Sequence, residues 1–288
     1  MKIPKALQPL IEDGIVDRVV RQLKSGKEAS VFLVDCGGRI RCAKVYKEAE
    51  QRGFQNLAQY QEGRKARGSR DERAMGKRSR HGRKQSQEEW KSAEVDALYR
   101  LDAAGVRVPK PYGYYDGVLV MEVIADEHGE AAPRLNDVQP TPEQARQWHE
   151  FLIRQIVLML CAGLIHGDLS EFNVLLGTDG PVIIDLPQAV DASSNNNAFR
   201  MLERDVGNMT AYCGRVAPEL LTTQYAHEIW HLYQRAELRP DTVLTGCFEH
   251  DDTQADVGDV MLHIEEARRE AEIRQRGRDE AAAADAAD

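Results

Sequence analysis

The run Leu164-Ile165-His166-Gly167-Asp168-Leu169-Ser170-Glu171-Phe172-Asn173-Val174-Leu175-Leu176 constrains this chain more than any other. An apolar segment ends, a polar loop follows, and a second apolar segment begins. Further on, Ile183-Ile184-Asp185 places another carboxylate at a strand end. Each residue type suits a task. Asp168 can accept or orient a hydroxyl proton. Asn173 offers a neutral carbonyl oxygen to a divalent ion, and Asp185 can reach the same ion. Such a set suits phosphoryl transfer, which needs positioning and charge neutralisation more than covalent chemistry. A lone His-x-Asp would read as a buried Asp capping a loop. The full spacing with a strand-borne Asp185 argues against that. His166 reads as a packing residue beneath the loop, with no chemical role.

A second segment, Arg41-Cys42-Ala43-Lys44-Val45-Tyr46, sets a lysine in an apolar strand. Alone, it reads as an exposed edge-strand lysine. Beside the loop, it reads as a phosphate-binding Lys44 with Ala43 facing an adenine, as in kinases. Lys44 then needs a carboxylate. Glu94, on a predicted helix with Trp90 and Leu98, is preferred to Glu88 and Glu89 at its frayed start. Ser25-Gly26-Lys27-Glu28-Ala29-Ser30 joins two strands. Its small residues would let backbone N–H groups approach phosphate oxygens. Gly26 is its only glycine, so a plain hairpin turn explains it equally well.

The 288 residues suit one two-lobed domain or two modest domains. The hydrophobic share of 42% allows a sizeable core, and a net charge of −9 disfavours bulk nucleic-acid binding. Five cysteines form no CxxC or CxxH pair, which argues against zinc. The odd count and the lack of an apolar leader place the chain in a reducing cytoplasm. The apolar stretch from Ile156 to Ile165 is too short to span a bilayer, so no membrane partner is expected.

The expected architecture is α+β. Leu7, Leu10 and Ile11 mark a short helix over 1–13, stopped by Gly14. An antiparallel meander follows, broken by a Gly-, Arg- and Lys-rich insertion over 61–87. Residues 90–104 read as a helix with Val95, Leu98, Tyr99 and Leu101 on its apolar face and Gly105 as its stop. A hairpin turns at Asp116-Gly117. Thr141-Pro142 starts a helix running to about Ala162. Two strands flank Gly177-Thr178-Asp179-Gly180, and 198–237 is helical with a break at Pro218. Residues 241–288 form a charged extension, with a disordered tail from 262. The small sheet lobe spans 14–124 and the helical lobe 125–240, with a nucleotide in the cleft between them.

These residues resemble the RIO-type atypical protein kinases from about Gly14 to Gly214. SGKEASVF (Ser25–Phe32) is similar to that family's glycine-poor phosphate loop. His166 to Asn173 resembles its catalytic loop, and Asp185-Leu186-Pro187-Gln188 its metal segment. The resemblance implies a two-lobed kinase fold using ATP with Mg²⁺ or Mn²⁺. It implies Lys44 on the α/β-phosphates, Asp168 as base, and Asn173 and Asp185 on the metal. Asp185 would also carry an aspartyl-phosphate. Met121 looks like the gatekeeper, and Glu122 and Ile124 like the adenine hinge. Ser25, Gly26 and Lys27 would touch phosphates, and Leu175 would line the nucleotide site. Asp205 would brace the catalytic loop. Ala217-Pro218-Glu219 is better explained as a proline-led helix start than as an activation-segment motif.

Two other readings stand beside a serine/threonine kinase acting on an unknown protein or on itself. Small-molecule kinases of the aminoglycoside and choline type share His-Gly-Asp but usually place His where Ser170 stands. An ATP-gated assembly factor could bind RNA or a ribosomal precursor through basic residues 64–84, although no aromatic interleaves that run.

Overall fold

The computed structural model describes residues 3–26, 29–47 and 93–248. Lys27, the insertion 61–87 with its basic run 64–84, and the tail from 262 lie outside the described residues. Residues up to Cys247 form one compact unit. Its fold is α+β and kinase-like, with a sheet-rich lobe followed by a helical one.

A single 3₁₀ turn leads into α1 (Gln8–Glu12), and Gly14 ends it at φ +69°. Five strands follow: β1 (Arg18–Ser25), β2 (Ala29–Cys36), β3 (Arg39–Tyr46), β4 (Pro111–Tyr115) and β5 (Val118–Met121). They pair antiparallel in the order β1-β2-β3-β5-β4. Asp116 and Gly117, at φ 43° and 85°, make the two-residue turn between β4 and β5. Positive φ at both positions matches the right-handed twist of the strands.

The sheet has two different faces because side chains alternate along a strand. Phe32, Val34, Ala43, Val118 and Val120 pack with Leu7, Leu10 and Val16. Ala29, Tyr46 and Leu119 join Val95, Leu98 and Leu101 of α2, whose described part covers 93–103. Gly105, at φ +78°, follows that helix as expected. Tyr99 corrects the expected apolar face, for it is 42% exposed. The buried stripe runs through Glu94, Ala97, Leu98 and Leu101, and the 3.6-residue period turns Tyr99 away from it.

α3 (Pro142–Cys161) begins with Thr141 and Gln144 capping one another: Gln144 N donates to Thr141 Oγ1 at 3.2 Å and Thr141 N to Gln144 Oε1 at 3.0 Å. Two orphan amides are satisfied this way. Leu152, Ile156 and Leu160 carry its buried stripe into the main core. α4 (Ala198–Gly214) and α5 (Tyr225–Gln234) pack on it, separated by a 3₁₀ turn at Pro218–Thr222 with proline in its first turn. The Ala217-Pro218-Glu219 triplet is thus a helix start. Two pairs of short strands carry the polar loops: β6 (Leu164–Ile165) with β9 (Val190–Asp191), and β7 (Val174–Gly177) with β8 (Gly180–Ile183). Among the described residues no helix is long and apolar enough to cross a membrane.

Candidate active site

Strand β3 aims Lys44 at the cleft. Its Nζ donates to Glu94 Oε1 of α2 at 2.5 Å and to Asp185 Oδ1 beyond β8 at 3.2 Å. Glu94 is only 4% exposed. Burial pulls the Lys44 ammonium toward deprotonation, but the two carboxylates outweigh it by charge and hydrogen bond, so its pKa is raised. Two positions along the same face, the Tyr46 ring lies 5.5 Å from Nζ. Burial first, and then the Glu94 charge, hold that phenol well above its ordinary range.

Ala43 is a correction. It is fully buried on the opposite face of the sheet, against Leu7 and Leu10. Neighbouring residues on a strand point to opposite faces, so Ala43 and Lys44 cannot both face the cleft. Cys42 lines the cleft on one side of Lys44, beside Met121 in the register of β3 and β5. Burial pushes the Cys42 thiol up to about 12.

The loop from His166 to Asn173 hangs between β6 and β7. The His166 ring is buried, with Nε2 3.1 Å from Ile184 O and Nδ1 3.3 Å from Asp168 N. A carbonyl only accepts and an amide only donates. In a neutral ring those two contacts would put the proton on Nε2. α4 holds the loop from below. Asp205 Oδ2 and Oδ1 accept from Gly167 N at 2.8 Å and Leu169 N at 2.9 Å. Asn208 Nδ2 donates to Leu169 O at 2.7 Å, and Arg204 donates to Gly167 O. Burial pushes the Asp205 carboxyl up to about 6, against His166, the two amides and Arg204, which pull it down.

Asp168 is half-buried, and Gln188 Nε2 lies 3.4 Å from its Oδ2. Burial raises its pKa, opposed by His166 and Arg204 and aided by the Asp185 charge. Asn173 Nδ2 donates to Asp168 O at 2.9 Å, which leaves Asn173 Oδ1 with no partner among the described residues. Asp185 occupies the left-handed region at φ +69°, unusual for a side-chain-bearing residue. Burial alone would raise its pKa. The Lys44 charge and hydrogen bond, with His166 and Arg134, lower it instead.

The cleft has a volume of about 750 Å³. Val31, Cys42, Met121, Ile124 and Leu175 give it an apolar end, and Gly26, Lys44 and Asp185 a polar one. At the hinge, the Glu122 side chain is tied to Arg107 at 2.8 and 3.0 Å. Its amide donates to Lys110 O at 2.8 Å. The Ile124 carbonyl accepts from Ala132 N at 2.9 Å, while its own N–H has no partner among the described residues. Ser25 lies outside the lining. Its hydroxyl meets Ser30 Oγ at 3.3 Å and Lys47 Nζ at 3.2 Å, and Lys47 also grips Gly26 O at 2.6 Å. These contacts tie down the strand ends of the loop.

Among the described residues no three His, Cys, Asp or Glu side chains gather to hold a metal. Asn173 Oδ1 and the Asp185 carboxylate are oxygens of the kind a magnesium ion takes beside waters and phosphate oxygens. Cys42, Arg204 and Asn208 were given no role from sequence, and Gln188 only a place in the metal segment. Strand alternation points to Cys42, and Asn208 lies one helical turn beyond Asp205.

The RIO domain family model matches residues 30–226. The RIO-type serine/threonine-protein kinase Rio1 of Haloferax volcanii is 34% identical over 213 residues, covering 73% of this chain and 68% of that protein. Rio1 of Methanocaldococcus jannaschii is 32% identical over 197 residues, covering 67% and 62%. The serine/threonine-protein kinase RIO1 of Homo sapiens is 28% identical over 227 residues, covering 76% of this chain but 37% of the human protein. With its lysine–glutamate pair, catalytic loop and strand-end aspartate set around one cleft, this chain belongs to the RIO family of serine/threonine-protein kinases.

Proposed function

We propose that the chain transfers the γ-phosphoryl group of ATP to a serine or threonine hydroxyl of a protein, its own included. The observation that carries this reading is the junction at Lys44, whose ammonium joins Glu94 of the sheet lobe to Asp185 of the helical lobe across the cleft. Lys44 holds the α/β-phosphates, and the Ile124 N–H meets the adenine edge at the apolar end. Asp168 takes the hydroxyl proton as the new O–P bond forms and the bond to the ADP oxygen breaks. Its raised pKa makes it a better proton acceptor than an ordinary aspartate. A magnesium ion held by Asn173 and Asp185 would neutralise the phosphate oxygens. The relatives named above are protein kinases, which favours a protein substrate over a small molecule. Free thiols at Cys36, Cys42, Cys161, Cys213 and Cys247 fit a reducing cytoplasm.

The test is ATP labelled at its γ-phosphate, with Mg²⁺ and the full chain. Label on phosphoserine or phosphothreonine supports transfer to hydroxyl. Hydroxylamine-labile label assigns an acyl phosphate, with Asp185 as the candidate. Asp168→Asn is expected to keep nucleotide binding and to lower turnover by about 10²- to 10⁴-fold. Turnover at the parent rate would remove Asp168 from its assigned role.

A further inference from the structure

We propose that Gln188 is a positioning residue for the transfer: its amide aims the Asp168 carboxylate at the incoming hydroxyl and leaves the negative charge in place. The inference rests on the kinase reading above and adds to it a residue for which that reading has no task.

The backbone of Asp168 is fixed on both sides. Its N–H meets His166 Nδ1 at 3.3 Å, and its carbonyl accepts from Asn173 Nδ2 at 2.9 Å. Its side chain has a single hold. Among the described residues one side chain hydrogen-bonds the Asp168 carboxylate, and that is Gln188, with Nε2 3.4 Å from Oδ2. Without it, a fixed backbone still lets the carboxylate turn about its own side-chain torsions. The contact is at the long end for a hydrogen bond, and contacts of catalytic groups tighten as a substrate closes around them.

Gln188 stands on a rigid mount. Residues Leu186 to Ala189 form a turn, closed by Ala189 N donating to Leu186 O at 3.0 Å. Pro187 at its second position fixes one backbone torsion. Leu186, Pro187 and Ala189 are buried and Gln188 is half-buried, so its neighbours carry the packing. The pairing of β6 with β9 brings this turn to the loop. Ile165, three residues before Asp168, pairs with Val190, two residues after Gln188. Both Ile165 and Val190 belong to the main core, so the contact closes a short circuit of anchored chain.

The residue type fits the task. An uncharged amide donates to a carboxylate but is no base, so it does not compete for the hydroxyl proton. A lysine or arginine in its place would hold Asp168 as firmly, and its charge would make the carboxylate a poorer proton acceptor. The same segment carries Asp185, 3.2 Å from Lys44 Nζ. The stretch from Asp185 to Gln188 thus touches Lys44 at one end and Asp168 at the other. In the proposed transfer it keeps the phosphate side and the acceptor side in register.

The experiment uses γ-labelled ATP with Mg²⁺ on the full chain. It measures the ATP dissociation constant and the single-turnover rate of label transfer. Gln188→Met keeps the length of the side chain and removes the donor. Transfer should slow about tenfold or more, while ATP binding stays within about twofold. A rate loss without a binding loss marks a group that acts on the reacting step. The second arm repeats Gln188→Met in an Asp168→Asn background. There the rate should change by less than about twofold, because the base is gone. Unchanged transfer in Gln188→Met would overturn the proposal. So would an equal rate loss in both backgrounds, or a binding loss that matches the rate loss. Gln188→Ala, at the same half-buried turn position, carries the comparison if Gln188→Met folds poorly. A parent chain that transfers no phosphate, or an Asp168→Asn chain that transfers it at the parent rate, would sink the kinase reading itself. Both of those results are read before Gln188 is changed, so the two failures are distinct.

Discussion

The two walls of the cleft are built on opposite principles. On the sheet side, Lys44 is held by charge, through Glu94 at 2.5 Å and Asp185 at 3.2 Å. On the helical side, the catalytic loop is held by directed hydrogen bonds between its own backbone and α4. A charge network can exchange partners, because an arriving phosphate can replace a carboxylate at the ammonium. A backbone clamp cannot exchange without exposing buried amides. The first wall is thus suited to receiving a ligand, and the second to keeping Asp168 where the proposed transfer needs it.

The strongest challenge to this contrast is Asp205→Ala. It orphans the Gly167 and Leu169 amides, at about 1–3 kcal/mol each. We expect about 2–6 kcal/mol lost in denaturant unfolding, together with loss of turnover. A folded variant with parental stability would show that the loop does not depend on α4. A smaller effect is expected from Glu94→Gln. Lys44 keeps Asp185, so stability should fall by only about 1–2 kcal/mol, less than breaking a buried ion pair outright. The kinetic cost should exceed the stability cost, with kcat/KM for ATP down about 10-fold or more. Stability losses as large as those of Asp205→Ala would erase the difference between the walls.

The subtlest test is pH. As the proposed base, Asp168 must be ionised to accept a proton, and burial raises its pKa above the ordinary 3.8, whereas Lys44 lowers that of Asp185. As pH falls, Asp168 gains its proton first. Turnover should therefore decline along a single-proton limb centred above the ordinary aspartate value. Asp185 should stay ionised through that range. A limb at or below the ordinary value would mean that burial does not tune the base.

Much of this site could be read locally. The interval from Asp168 to Asn173, the strand end at Asp185, the Thr141 cap and the stops at Gly14 and Gly105 each depend on a few consecutive residues. Ala43 was misassigned because an adjacent residue was read onto the same face, where alternation puts Cys42. Tyr99 was misassigned because one turn of a helix does not reveal which stripe is buried. β6 and β9 escaped notice because two residues carry no period.

The amino-acid order by itself determined the kinds of chemical group present and the short intervals between them, because turns, caps and alternation act over a few residues. Only the tertiary structure decided which groups meet. Lys44 lies 50 residues from Glu94 and 141 from Asp185, and neither interval carries a periodic signal. Such distant contacts form when packed cores hold separate elements together, so the convergence on Lys44 and the grip of α4 on the loop became visible only in three dimensions.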